Sequence, residues 1–215
     1  MPKQNRVTPF GEIVAVAERG TVLGNRGVLH DSAGTIRRAW QLRRWILCVL
    51  EFKGRRRTIM SPGCYTELFF LDEATGLAAG HRPCAECQRQ RFREFRAAWV
   101  AGHASNDASD GTRTPTAVEI DDRRHAERVV AGGEKGRFEA DIGELPDGVF
   151  ITLDGDDATA YLVWRGELFA WSPGGYRERR SRPAGVRVSV LTPASTVAAI
   201  RAGFAPAAHA SAARM

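Results

Sequence analysis

Cys84 and Cys87 stand two residues apart in Pro83-Cys84-Ala85-Glu86-Cys87, directly ahead of an arginine-rich stretch, Gln88 to Trp99. Thiolates at this spacing can chelate one metal ion through the tight turn between them. Proline ahead of the pair stiffens the approach. If Cys87 lies in a first helical turn, free backbone N–H groups help stabilise its thiolate. A tetrahedral zinc site needs two more ligands. The candidates are Cys48, Cys64, His30, His81, His103 and His125. Cys64 is the best placed, in the turn Ser61-Pro62-Gly63-Cys64 between two expected strands. His30 follows a turn and can swing inward, which makes it the choice for the fourth ligand. Cys48 sits in an apolar strand and reads as plain core. His81 is too near Cys84 to ligate easily, and His103 lies a helix length away. The plainer alternative is a pair of thiols with no metal.

Other chemistry is sparser. There is no phosphate-binding glycine loop, no nucleophile elbow and no paired zinc-protease histidines. Asn25, His30, Asp31 and Glu67 are polar residues flanking expected strands. A histidine with acidic partners could hold a divalent metal or activate water for phosphodiester hydrolysis, so His30, Asp31 and Glu67 are the catalytic candidates. The ordinary alternatives carry more weight: Asn25 as a turn residue, Asp31 as a local cap, Glu67 as an ion-pair partner.

The helix after the cysteine pair, about Cys87 to Val100, has two informative faces. Phe92, Phe95 and Trp99 form a stripe that should face the core. Arg89, Arg93 and Arg96 fall on an adjoining face, where three guanidiniums suit phosphate oxygens. Arg55, Arg56 and Arg57, with Arg37-Arg38 and Arg43-Arg44, make the same half basic on its strands. Residues 1–101 hold 17 Lys and Arg against 9 Asp and Glu, whereas residues 102–215 hold 14 against 16. A local excess of this kind suits a polyanionic partner. A solvated basic face is the competing reading. In the C-terminal half Trp164, Trp171 and Tyr176 accompany Arg165, Arg177, Arg179 and Arg180. Such interleaving can stack single-stranded bases, but aromatics in antiparallel strands are more often core.

The elements that must position these groups are mostly short strands. The patterning predicts strands at Glu12–Val16, Thr21–Leu23, Arg43–Phe52, Arg55–Met60, Thr66–Leu71, Val149–Leu153, Ala160–Trp164, Glu167–Trp171 and Gly185–Leu191. Helices are expected at Glu73–Ala79, capped by Asp72, at Asp121–Val130 and from Thr192-Pro193 through Arg201. Ser172 to Pro183 reads as an exposed loop and Ala205 to Met215 as a frayed tail. The fold class is α+β, mainly antiparallel, with a zinc knuckle leading into a basic helix and a smaller β-rich C-terminal part. The expected divisions are a basic zinc-binding domain at 1–101, a flexible linker at 102–116, a β-rich domain at 117–204 and a disordered tail at 205–215. No secretory signal and no apolar run of membrane-spanning length is visible, so the cytoplasm is the expected compartment and no membrane partner is expected.

The stretch Phe69 to Gln88, FFLDEATGLAAGHRPCAECQ, resembles the second half of the zinc-binding domain of Ada-type methylphosphotriester DNA repair proteins. The matching features are the short helix Glu73 to Gly80, then His81, Arg82-Pro83-Cys84 and Cys87. The resemblance covers about 20 of 215 residues. It implies zinc at Cys84 and Cys87, with Cys64 as a further ligand, and DNA as the partner. It does not extend to methyl transfer: the upstream pair of cysteines three residues apart is missing, with Met60 and Leu68 on either side of Cys64. The expected function is a zinc-stabilised nucleic-acid-binding protein, with DNA as its ligand and repair or processing as its setting. A metal-dependent nucleic-acid hydrolase or repair enzyme using His30, Asp31 or Glu67 is the alternative, and a structural zinc module in a protein adaptor is a third.

Overall fold

The computed structural model describes residues 1–54, 58–104 and 113–213. Among the described residues twelve strands form two six-stranded sheets and are joined by four α-helices, so the α+β, mostly antiparallel class holds. The first sheet uses β1 (Gln4–Val7), β2 (Ile13–Ala15), β3 (Val22–Asn25), β4 (Ile46–Cys48), β5 (Leu68–Phe70) and β6 (Arg82–Pro83), in the order β2-β1-β5-β3-β4-β6. Two pairings in it are parallel, β1 with β5 and β4 with β6. The second sheet uses β7 (Phe138–Asp141), β8 (Phe150–Leu153), β9 (Asp156–Trp164), β10 (Glu167–Ser172), β11 (Gly175–Ser181) and β12 (Arg187–Val190), and all of its pairings are antiparallel. The helices are α1 (Glu73–Ala78), α2 (Arg89–Gly102), α3 (Ala117–Arg128) and α4 (Ala194–Arg201).

Local chemistry explains where helices begin. Asp72 caps α1 by accepting from Thr75 N–H at 2.8 Å, as its position predicts. Helix α3 starts earlier than the apolar pattern suggests, because Thr116 and Glu119 form a reciprocal capping box. Thr192 does not cap α4: its hydroxyl instead accepts from Phe150 N–H at 2.9 Å, tying the helix entry to β8. The expected strand at 43–52 shortens to Ile46–Cys48, and Thr58 to Met60 is not strand. Residues Gly175–Ser181, read as loop, form edge strand β11 against β10. The tail is also tied down: Ala212 is buried and His209 N–H donates to Asp72 at 2.7 Å.

Phe92, Phe95 and Trp99 are all buried, so the aromatic stripe of α2 does face the core. There Phe95 and Trp99 join Ile120 of α3, Val197 and Ile200 of α4, and Ile151, Val163, Leu168 and Val190 of the second sheet. One cluster therefore draws on residues from both sides of the segment 102–116, much of which lies outside the described residues. The opposite face of that sheet packs Phe150, Leu162 and Phe169 on Leu71, Ala74 and Ala78 around α1. Tyr176 belongs here, its hydroxyl donating to Asp72 at 2.7 Å, and Trp171 donates its indole N–H to Thr75. Two of the three C-terminal aromatics are thus held by core contacts, and Trp164 packs beside them.

Among the described residues four arginines are buried: Arg26, Arg82, Arg124 and Arg128. Two of them, with Lys135, converge on the C-terminal end of α1. Arg128 donates to Gly80 O at 2.7 Å, Arg124 to His81 O, and Lys135 to Ala78 O. Carbonyls at a helix C-terminus carry partial negative charge that suits cations. Arg26 and Arg128 each lie 4.0 Å from the Trp45 ring, adding cation–π attraction to both. Gly80, at φ 96°, is required here, because a Cβ would collide with Arg128 Cδ.

His81 sits inside this cationic cluster, fully buried, with Arg26 Nε donating to its Nε2 at 3.3 Å. Burial first, and then Arg26, Arg128, Arg124 and Lys135, push its pKa well below 6.5. The folded protein therefore excludes a proton that the unfolded chain accepts as pH falls through 6.5. Stability from this group is present above that pH and lost below it. Going from pH 7.5 to 5.5 should cost about 1.4 kcal/mol at this one site. Melting His81→Gln beside the parent at both pH values checks this: the variant's acid loss should be smaller, and an equal loss would mean that His81 is not the titrating group.

Candidate metal centre

The first sheet brings together thiols that are far apart in sequence. Leu23 of β3 pairs with Cys48 at the end of β4, and β4 runs parallel to β6 with Leu47 opposite Pro83. Cys84 N–H then donates to Leu47 O at 2.8 Å, so the chain leaves the sheet with Cys84 beside Cys48. The turn that follows returns Cys87 to the same place before α2 begins. Gln88 fixes that turn twice, donating its backbone N–H to Cys84 O and its side-chain amide to Leu47 O. The sulfur atoms of Cys48, Cys84 and Cys87 all lie within 4.8 Å of one another.

This geometry corrects the sequence reading of Cys48 as plain core. Strand alternation is the reason: Leu47 points into the core at 0% exposure, while Ile46 and Cys48 point to the other face, which borders a cavity. Cys64 is exposed on its turn, and among the described residues the thiol group does not include it. His30 is buried and has both ring nitrogens engaged, Nδ1 with Thr66 Oγ1 at 2.6 Å and Nε2 with Ser61 O at 3.2 Å. It too stands outside the group. His103 stacks on Trp99, and His125 packs edge-on against Trp40 and Trp45.

The three sulfurs are electrostatically coupled. Cys84 is held as the thiolate, its pKa lowered to about 5, chiefly by the hydrogen bond from the Cys48 thiol and also by the N–H groups of Cys87 and Glu86. Cys48 is correspondingly held as the thiol by the same bond and by burial. Glu86 N–H lies 3.4 Å from Cys84 Sγ, an N–H···S contact within the turn. Three thiols, two on the turn and one at the end of β4, suit a soft or borderline ion. Zn–S bonds of about 2.3 Å would place tetrahedral thiolates about 3.8 Å apart, within the limit observed.

The three cysteines also wall one end of a cavity of about 610 Å³. Its other walls include Leu23, Asn25, Ile46, Phe69 and Glu67. Of the catalytic candidates, only Glu67 reaches this cavity. Asp31 is a loop organiser, as its ordinary reading holds: its Oδ1 accepts from Ala33 and Thr35 N–H at 3.0 Å each, and Oδ2 accepts from Arg37.

The basic residues divide sharply by role. On α2, Arg91 is structural: it donates to Glu73 at 2.6 Å and also pairs with Glu94. Arg89 and Arg93 are exposed and Arg96 half-buried, and none has an acidic partner among the described residues. Arg55, Arg56 and Arg57 lie outside the described residues. No helix among the described residues is long and apolar enough to cross a membrane. Compared with protein-family models, with curated proteins and with solved structures, the chain finds no match in any of the three.

Proposed function

We propose that this chain is a zinc-stabilised nucleic-acid-binding protein with DNA as its ligand, acting in DNA repair or processing. Zinc is the metal chosen because three clustered thiolates suit it and because it holds such knuckles without redox chemistry. The observation that carries the nucleic-acid reading is the division of α2. Its buried side is locked by Phe92, Phe95 and Trp99, and its start is tied to the thiol cluster. Among the described residues Arg89, Arg93 and Arg96 are left without carboxylate partners, while Arg91 has two. Guanidiniums held on a fixed helix and not neutralised by the protein suit phosphate oxygens. The resemblance of residues 69–88 to an Ada-type zinc domain points the same way. In this chain the third thiol is Cys48, far upstream in sequence.

The test is salt dependence. For every duplex phosphate deprived of its arginine, the log–log slope of affinity against salt should flatten by about 0.9. Changing Arg89, Arg93 and Arg96 together to alanine should therefore flatten it by roughly 2 to 3. Fold and metal content should persist, since the buried stripe is untouched, and Arg201→Ala on α4 should change little. An unchanged slope in a folded triple variant would leave α2 as a solvated face.

A metal-dependent hydrolase or repair enzyme is the second reading. It is favoured by Glu67, whose carboxylate shares a cavity with the three thiols. Cleavage of labelled strands by the metal-loaded protein, abolished by Glu67→Gln, would move the assignment from binding to catalysis.

A further inference from the structure

The first sheet has one packed face and one open one. Leu47, Leu68 and Phe70 point into the core at 0% exposure. Leu23, Ile46 and Phe69 alternate with them and line the cavity beside the thiols. The polar part of the wall includes Tyr65, Glu51 and Glu86, and two polar groups on neighbouring strands, Asn25 and Glu67. Gly24 pairs with Leu68 in antiparallel register, which places Asn25 next to Glu67.

Glu67 is unusual. It is only 5% exposed, and no cation pairs with it among the described residues. Oε2 accepts from Met60 N–H at 2.7 Å, but Oε1 is buried with no hydrogen-bond partner among the described residues. A carboxylate oxygen shielded from water and left unpaired is costly. The terminal torsion of glutamate is soft, so this oxygen can turn towards the cavity that Glu67 lines. Asn25 is half-buried, and its side-chain amide bonds to no described residue. The site thus offers apolar walls, a carboxylate acceptor with spare capacity and an amide that can donate or accept. A cavity of about 610 Å³ lies within the range of small-ligand pockets.

A free amine or guanidine would satisfy the carboxylate. Within the nucleic-acid reading the donor is a base, its phosphate left outside a wall that also carries Glu51 and Glu86. Among the bases, guanine sets two N–H donors side by side on its Watson–Crick edge with a carbonyl next to them. That matches one carboxylate and one neighbouring amide. We propose that this cavity binds an unpaired guanine base, with Glu67 accepting from its N–H edge, Asn25 meeting its carbonyl and the apolar walls receiving the ring. Unpaired bases are commonly read this way, by edge hydrogen bonds and stacking. The choice of ligand rests on the nucleic-acid reading above; the unpaired carboxylate does not.

The base could come from a free nucleotide or from a strand, and titration separates the two. Full-length, metal-loaded protein is titrated with GMP and AMP by calorimetry. In parallel it is titrated with labelled oligo-dT, with and without one central guanine, by anisotropy. The guanine strand should bind about tenfold more tightly than oligo-dT, and GMP more tightly than AMP. Glu67→Gln, which places an amide donor against the base's own donors, should abolish both preferences. Asn25→Ala should weaken them, and it removes no side-chain bond to a described residue, so it decides the matter if Glu67→Gln unfolds. The arginine triple variant should weaken both strands alike. Strands bound without base preference, or a preference that survives Glu67→Gln and Asn25→Ala, would overturn the pocket while leaving nucleic-acid binding in place. GMP bound selectively with no strand bound would keep the pocket and overturn the nucleic-acid reading. No binding of either kind would overturn both.

Discussion

Cys48→Ser should strip the metal as completely as Cys84→Ser or Cys87→Ser, whereas Cys64→Ser should keep it. All three clustered sulfurs lie within 4.8 Å of one another, so each removal takes one donor from a set of three. Cys64 is exposed on its turn and outside that set. The parent should carry close to one zinc per chain. The consequence for stability is large, because thiolate zinc in small sites contributes about 10–16 kcal/mol of binding free energy that is coupled to folding. Its loss should fall unevenly. Cys48 ends β4 and Cys84 follows β6, so a metal held there would tie the edge of the first sheet to the start of α2. The core formed by α4 with the second sheet has no thiol in it and should outlast chelation. Metal analysis of the four variants, with hydrogen exchange before and after chelation, measures both effects. A full equivalent of zinc in Cys48→Ser would remove Cys48 from the site, and uniform loss of protection would show that the two sheets unfold together.

The cysteine pair and its helix were legible in the sequence because their signals are local. A CxxC spacing, a capping aspartate and an aromatic stripe of helical period each need only a few neighbouring residues to be read. Cys48 was not legible, for a reason specific to strands. Trp45 to Leu50 is an unbroken apolar run, which reads as a strand buried on both faces, and a thiol there reads as core. Only the pairing of Leu47 with Pro83 shows that one face fronts a cavity and that Cys48 stands next to Cys84. No spacing within the chain carries that information. Cys64 is close to Cys84 in sequence and the Ada-type resemblance calls for an upstream thiol, but neither ground speaks to position in space. The arginines show the opposite problem. Charge counting spreads them over a surface, yet Arg26, Arg82, Arg124 and Arg128 are buried. Arg26, Arg124 and Arg128 bind backbone carbonyls, acceptors that every residue has, so no partner is visible in the sequence. What is left for the proposed phosphate contacts is a smaller set that includes Arg89, Arg93 and Arg96 on α2.

Asp121→Ala should be among the most destabilising single changes in the chain, and its neighbour Asp122→Ala among the mildest. Both aspartates lie on α3 and both pair with an arginine. Asp121 accepts from Arg82 through two parallel bonds, Oδ1 from Nε at 2.8 Å and Oδ2 from NH2 at 2.7 Å, with side chains only 2% and 6% exposed. This pair anchors α3 to β6, and Arg82 also lies 4.9 Å from the Phe92 ring of α2. Removing the carboxylate leaves the Arg82 guanidinium buried with one remaining bond, to Pro83 O, beside Arg124 and Arg128 and without a counter-charge. Breaking a buried pair from one side costs about 3–5 kcal/mol, a large share of a typical domain's stability. Asp122 meets Arg43 at 3.2 Å with both side chains largely in solvent, Arg43 at 66% and Asp122 at 49% exposure. An exposed pair of that kind contributes about 0–1 kcal/mol. Denaturant unfolding of the two variants should therefore separate them by several-fold in free energy. Raising the salt concentration should erase the small effect of Asp122→Ala and leave that of Asp121→Ala, because buried pairs are little screened. If the two variants unfold alike, the contact between α3 and β6 is not held by charge. The aromatic packing of Phe92 and Phe95 would then have to hold α2 and α3 against the first sheet without it.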